Sequence, residues 1–227
     1  MNILKKIALV ILILSGLLVL AVWSPWQNWN LSLTNLLGIE AKEEFSALKV
    51  KSLTGEIDIF IDGEYRDTAS PETDLLEIFP IDPGEHTVLL RRRNHEDYEE
   101  VVRKINFEPQ IDVIVGYEIG PSETFSEGHI LYARKSFASP GSPLLEIFSS
   151  PEKINVFLDN QFIGETPLKD VNLDISDQRK LRFEKDGYDE LEIIVLPESQ
   201  EERDKLKDTI LTIEINLFAR PINIVTE

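Results

Sequence analysis

Cysteine is absent from the 227-residue sequence, which excludes disulfides, thiol catalysis, cysteine-ligated zinc and lipid attachment through a cysteine. Oxidising compartments permit disulfides without requiring them, so this absence assigns no compartment. Histidine is scarce: His86, His95 and His129 are the three. None stands in a His-x-x-x-His spacing, and a zinc site would need scattered ligands. Each reads as an ordinary strand or loop residue. Neither a Gly-x-Ser-x-Gly nucleophile elbow nor a phosphate-binding glycine loop occurs. Bases are also in deficit, 23 against 41 acids, for a formal charge of −18. A surface that negative repels nucleic-acid phosphates and anionic head groups, so nucleic acid is excluded as a partner.

The acids are unevenly placed. Residues 1–30 hold Lys5 and Lys6 and no acid, so the entire negative charge lies beyond them. Ile7 to Trp23 is apolar except for Ser15 and Gly16, and at ~1.5 Å per residue such a helix reaches roughly 25 Å, the short end of a bilayer span. Ile3 and Leu4 can extend it because Lys5 and Lys6 snorkel to the head groups. Trp23, Trp26 and Trp29 follow at the far end, where amphipathic rings favour the interface. The positive-inside rule then places the N-terminus in the cytoplasm and the remainder outside. A cleaved signal peptide is the competing reading, but Ala21-Val22-Trp23-Ser24-Pro25 offers no Ala-x-Ala site and favours a retained anchor. The division expected is 1–29 as cytoplasmic tip and anchor, then 30–47 as linker.

Beyond the linker the chain repeats itself. Ile57-Asp58-Ile59-Phe60-Ile61-Asp62-Gly63-Glu64-Tyr65 recurs 97 positions later as Ile154-Asn155-Val156-Phe157-Leu158-Asp159-Asn160-Gln161-Phe162. Leu48, Val50 and Ser52 match Leu145, Ile147 and Ser149 at the same offset. This is self-similarity of a duplicated domain. Leu75–Phe79 is identical to Leu144–Phe148, but at an offset nothing else supports, and is discounted. Ile57, Ile59 and Ile61 alternate with polar or outward residues, the period of a half-buried strand. Further strands are predicted at 85–92, 101–107 and 111–118, and again at 180–185, 190–196 and 209–219. Asp62-Gly63 is a hairpin signal, and Pro83-Gly84 and Asp186-Gly187 are turn punctuation. Short strands at this spacing predict sandwiches. Helix is scarce; Ser199–Lys207 is either a helix with a Ser199/Glu202 capping box or a charged loop.

The second copy resembles the PEGA domain family. Ser150-Pro151-Glu152, a strand ending at Asp159, Gly164-Glu165-Thr166-Pro167, then Gly187-Tyr188 follow the family pattern, with Lys153 and Ile154 in place of the Gly-Ala of its name. The first copy keeps Asp62-Gly63, Pro83-Gly84 and Tyr98, but has Asp67, Ala69 and Ser70 at the Gly, Thr and Pro positions. The resemblance covers roughly residues 46–220. It implies an all-β ectodomain of two tandem small β-sandwiches, 48–143 with a trailing hairpin or linker and 144–227, without enzymatic activity. Gly164, Pro167, Gly187 and Tyr188 are expected to serve turns and a sandwich corner rather than a ligand.

No catalytic, metal or cofactor-binding residue is singled out. Asp170–Asp174 mimics the start of a calcium loop, but Ile175 and Leu181 occupy the positions that need glycine and a bidentate glutamate. Arg91-Arg92-Arg93 is the sole basic cluster, and its neighbours Glu96, Asp97, Glu99 and Glu100 predict cross-strand neutralisation. The expectation is an envelope interaction or adhesion module whose partner is an envelope protein or a cell-wall polymer. The rivals are a structural spacer and a carbohydrate-active enzyme with a diffuse acidic site.

Overall fold

The computed structural model describes residues 45–221 apart from 137 and 139. Lys5, Lys6, Trp23, Trp26 and Trp29, with the expected anchor, lie outside the described residues. Among the described residues no helix is long and apolar enough to cross a membrane.

The described chain is all-β with one short α-helix. Its first seven strands are β1 (Ser46–Ser52), β2 (Ile57–Ile61), β3 (Glu64–Ala69), β4 (Leu76–Ile81), β5 (Gly84–Arg92), β6 (Val101–Phe107) and β7 (Val113–Glu118). β8 (Glu127–Lys135) follows a 3-10 turn at Glu123–Phe125. The last seven are β9 (Leu144–Ser150), β10 (Asn155–Leu158), β11 (Gln161–Glu165), β12 (Leu168–Asn172), β13 (Lys180–Glu184), β14 (Leu191–Ile194) and β15 (Thr209–Asn216). Helix α1 (Gln200–Lys205) lies between β14 and β15.

The same strand order occurs twice. β1 runs antiparallel to β4 and parallel to β7; β9 runs antiparallel to β12 and parallel to β15. Each set has its own four-stranded sheet, β3-β2-β5-β6 and β11-β10-β13-β14. The correspondence extends to single atoms. The Ser52 hydroxyl donates to the Thr54 carbonyl, and Ser149, 97 positions on, donates to that of Pro151. The discounted pentapeptide match joins β4, an edge strand, to β9, an internal one.

β8 joins the two sets. It pairs antiparallel with β7 on one side and β15 on the other, giving one seven-stranded sheet ordered β12-β9-β15-β8-β7-β1-β4. This sheet crosses the expected 143/144 division, and the described residues form one compact unit. Ile130 belongs to the first hydrophobic core and its neighbour Leu131 to the second. Consecutive strand residues point to opposite faces. The two small sheets therefore pack on opposite faces of the large one, in a two-fold-like arrangement about β8. Phe107 and Phe183, buried to 1% and 0% exposure, sit in these two cores, where burial of each large apolar side chain stabilises by about 1.5–3 kcal/mol.

The predicted strands overlap the observed ones, with Ile111, Leu196 and Leu217 among the predicted residues that lie outside them. Ser199 is the N-cap of α1 but makes no side-chain capping bond, so the capping box does not form. The helix is held instead by Arg203, 6% exposed. Its guanidinium donates to the carbonyls of Ile175, Ser176, Pro197 and Glu198 and to the Gln200 side chain.

Candidate functional site

The residues singled out by the repeat lie at its turns. Asp62 and Gly63 both have positive φ, 53° and 81°, as do Asp159 and Asn160 at 47° and 68°. A two-residue hairpin with both φ values positive matches the twist of the flanking strands. Each aspartate also fastens the next strand over: Asp62 accepts the Thr87 amide at 2.8 Å, and Asp159 accepts the Lys180 amide at 3.0 Å. The Thr87 amide, with His86 assisting, lowers the Asp62 carboxyl pKa; at Asp159 burial opposes the charge, but the Lys180 amide and Arg179 together prevail and lower it too. Gly84 opens β5 with φ 129°, following Pro83. Gly164 has φ 144° beside the β10–β11 register shift, and a Cβ there would meet Leu168.

Thr166 is buried, and its hydroxyl accepts the Ile154 amide at 3.0 Å and bonds Ser149. The peptide bonds before Pro151 and Pro167 are cis. Gly187 (φ 83°) turns the chain so that its carbonyl accepts the Arg220 amide, and Tyr188 pairs with Ala219. Tyr188 packs on the second core, but no hydroxyl-to-backbone bond forms among the described residues, where the expected corner is closed by main chain and packing. Tyr98 packs on the first core and stacks on His95 at 4.4 Å.

These residues brace two folds and converge on no common site. The basic cluster does likewise. Arg91 pairs with Glu100 at 2.5 Å and Arg93 with Asp58 at 2.9 Å, while Arg92 donates to the Thr54 carbonyl. Of the four acids expected to neutralise it, only Glu100 does so by direct ion pairing; Glu56 and Asp58 on the β2 side supply the rest. Asp174 is engaged by Ser176 and Arg179. No group of three or more His, Asp or Glu side chains able to hold a metal occurs among the described residues.

The remaining feature is a groove that sequence reasoning did not find. The large sheet is longer than either small sheet can cover, so part of each face stays open. On the face carrying the second core, an open groove of about 290 Å³ lies between β14, α1 and the large sheet. Ile114, Leu131, Ala133 and Leu211 from β7, β8 and β15 form its floor; Ile194, Leu196 and Leu206 line one wall. Lys49, Asp112, Glu202 and Lys205 rim it. Lys49 and Asp112 pair at 2.6 Å, and this bond holds the lysine above its ordinary pKa against the effect of burial. Ile114 and Ile194 stay 36% and 52% exposed. The groove brings together residues some 160 positions apart, roughly Lys49 to Leu211; no local pattern could have announced it.

The opposite face has a corresponding crevice of about 190 Å³ beside β6, lined by polar and apolar side chains alike. Arg103 of β6 reaches across it to Glu214 of β15 at 2.7 Å, and the Tyr132 hydroxyl donates to the same carboxylate. No protein-family description and no characterised protein matches the chain.

Proposed function

We propose that this chain is a membrane-tethered, non-catalytic interaction protein of the cell envelope, its outward part made of two PEGA-like β-sandwich units. The observation that carries the reading is the duplicated strand order, with the same aspartate-fastened hairpin in each copy and no converging constellation of titratable groups among the described residues. Duplicated all-β units braced throughout by structural turns suit the presentation of surfaces rather than the positioning of reacting atoms. The apolar stretch Ile7–Trp23, flanked by Lys5 and Lys6, supports the tether. The acidic surface supports solubility beside other envelope proteins.

In-cell photo-crosslinking of the full chain, with the probe at Ile114 or Ile194, tests the reading. A discrete partner adduct is the expected result. Adducts indistinguishable from those of a probe at exposed Glu201 would refute specific binding. One observation favours a spacer as the second reading: β8 fuses the copies into a continuous sheet, which would make the ectodomain stiff. A spacer would keep its role after Ile114→Glu fouls the groove, whereas a binder would lose it.

A further inference from the structure

The groove lies beside an unpaired strand edge. β14 ends its sheet, with β13 on one side and no strand on the other. The Val195 amide donates to Arg179, and the register runs Ile193 opposite Leu181 and Leu191 opposite Phe183. In an antiparallel ladder such pairs alternate, so the main-chain groups of Glu192 and Ile194 point away from β13. No hydrogen bond from a described residue reaches them. Apolar floor and free edge together form the geometry in which an added strand hydrogen-bonds the edge and sets alternate side chains into the groove.

The first copy closes the same edge. Matching the registers of β5–β6 and β13–β14 places Arg103 where β14 has Ile193, and Val102 where it has Glu192. Arg103 donates to the Val102 carbonyl at 2.9 Å and to Glu214 across the crevice. An arginine thus caps one edge and fills the space beside it, a protection edges commonly receive. In the second copy that position is Ile193, buried in the core, and no described residue caps the edge.

From this asymmetry we infer that the β14 edge and its groove bind an extended peptide segment of a partner protein, apolar at alternate positions and of net positive charge. The edge groups of Glu192 and Ile194 select the extended backbone. Ile114, Leu131, Ala133 and Leu211 receive the inward side chains. The −18 charge of the chain favours a cationic peptide during encounter. This rests on the reading of the protein as a binder and names the surface and the class of partner.

Random dodecamer peptides displayed on phage and panned against the full-length chain test the inference. Enriched sequences should alternate apolar and polar residues and carry excess lysine or arginine. Synthetic copies should bind about tenfold more weakly to the Ile114→Glu variant, roughly what the loss of one well-placed contact produces. The decisive arm changes the peptide alone. N-methylation at every second residue should abolish binding in one register and spare it in the other, because only alternate amides face the edge. Equal effects in both registers would overturn strand addition in favour of simple apolar insertion. Absence of enrichment, or concentration-dependent self-association through the groove, would overturn it too. A partner adduct in the envelope without any peptide enrichment would leave the binding function standing and remove only this inference.

Discussion

His129 lies on β8 opposite Gly116 of β7, and a Cβ at Gly116 would come within 2.6 Å of its ring. The imidazole therefore rests on bare backbone, with no hydrogen-bond partner among the described residues. Burial pushes its pKa from 6.5 down to about 4. Because the unfolded chain takes up this proton first, the contribution to stability is complete above pH 6.5 and is lost as pH falls toward 4. Linkage between these two values gives a loss of about 2 kcal/mol from pH 7 to pH 5 and about 3 kcal/mol by pH 4. The perturbation is His129→Gln, which keeps much of the volume and cannot titrate. Denaturant unfolding of both proteins at pH 7, 6 and 5 supplies the assay. The variant can be weaker at every pH; what is predicted is a pH dependence shallower by about 2 kcal/mol over that range. Glu127 and Glu118 share this face by strand alternation, and burial together with Asp189 and Glu118 raises Glu127. Their titration is common to both proteins and cancels in the difference. Identical pH dependence in the two proteins, or an imidazole titrating near 6.5 by NMR, would refute the reasoning.

His86 should behave in the opposite sense. Burial opposes its charge, but bonds to Asp62 and the Asp82 carbonyl prevail and raise its pKa above 6.5. Its stabilising contribution is present below pH 6.5 and fades as pH rises through the raised value; an NMR titration should place its midpoint above 6.5. Arg203→Ala should lower unfolding free energy by about 3 kcal/mol, since four carbonyls lose a charged donor; chemical denaturation reads this, and Arg203→Lys should recover only part. Thr166→Val should cost about 1–2 kcal/mol by the same measurement, because the buried Ile154 amide loses its acceptor.

The strands that were legible in the sequence are those whose two faces differ in residue type. Ile57–Ile61 alternates because one side meets a core and the other does not; Thr209–Asn216 is buried on both sides but stays legible because Thr212, Glu214 and Asn216 hold its second face. β8 escaped notice for the converse reason. Gly128, Ile130, Leu131 and Ala133 are all buried because a core lies on each side, which erases the period-two signal. The edge strands β3, β4, β11 and β12 are short, largely exposed and punctuated by Pro80 and Gly164, so they were not among the predicted strands. Turn chemistry was local and therefore readable, as at Asp62-Gly63 and Asp159-Asn160. The groove was not, because it depends on which faces the two small sheets occupy. That follows from Ile130 and Leu131 facing different cores, a fact no spacing along the chain contains.

Native-state hydrogen exchange on β8 in the full-length chain tests the fused architecture most directly. If the strand bonds β7 and β15 at once, its amides from Ile130 to Ala133 should open only with global unfolding, together with those of β5 and β13. Exchange of these amides at loop-like rates, or separate unfolding of residues 48–118 and 144–216, would contradict a single sheet shared by two copies.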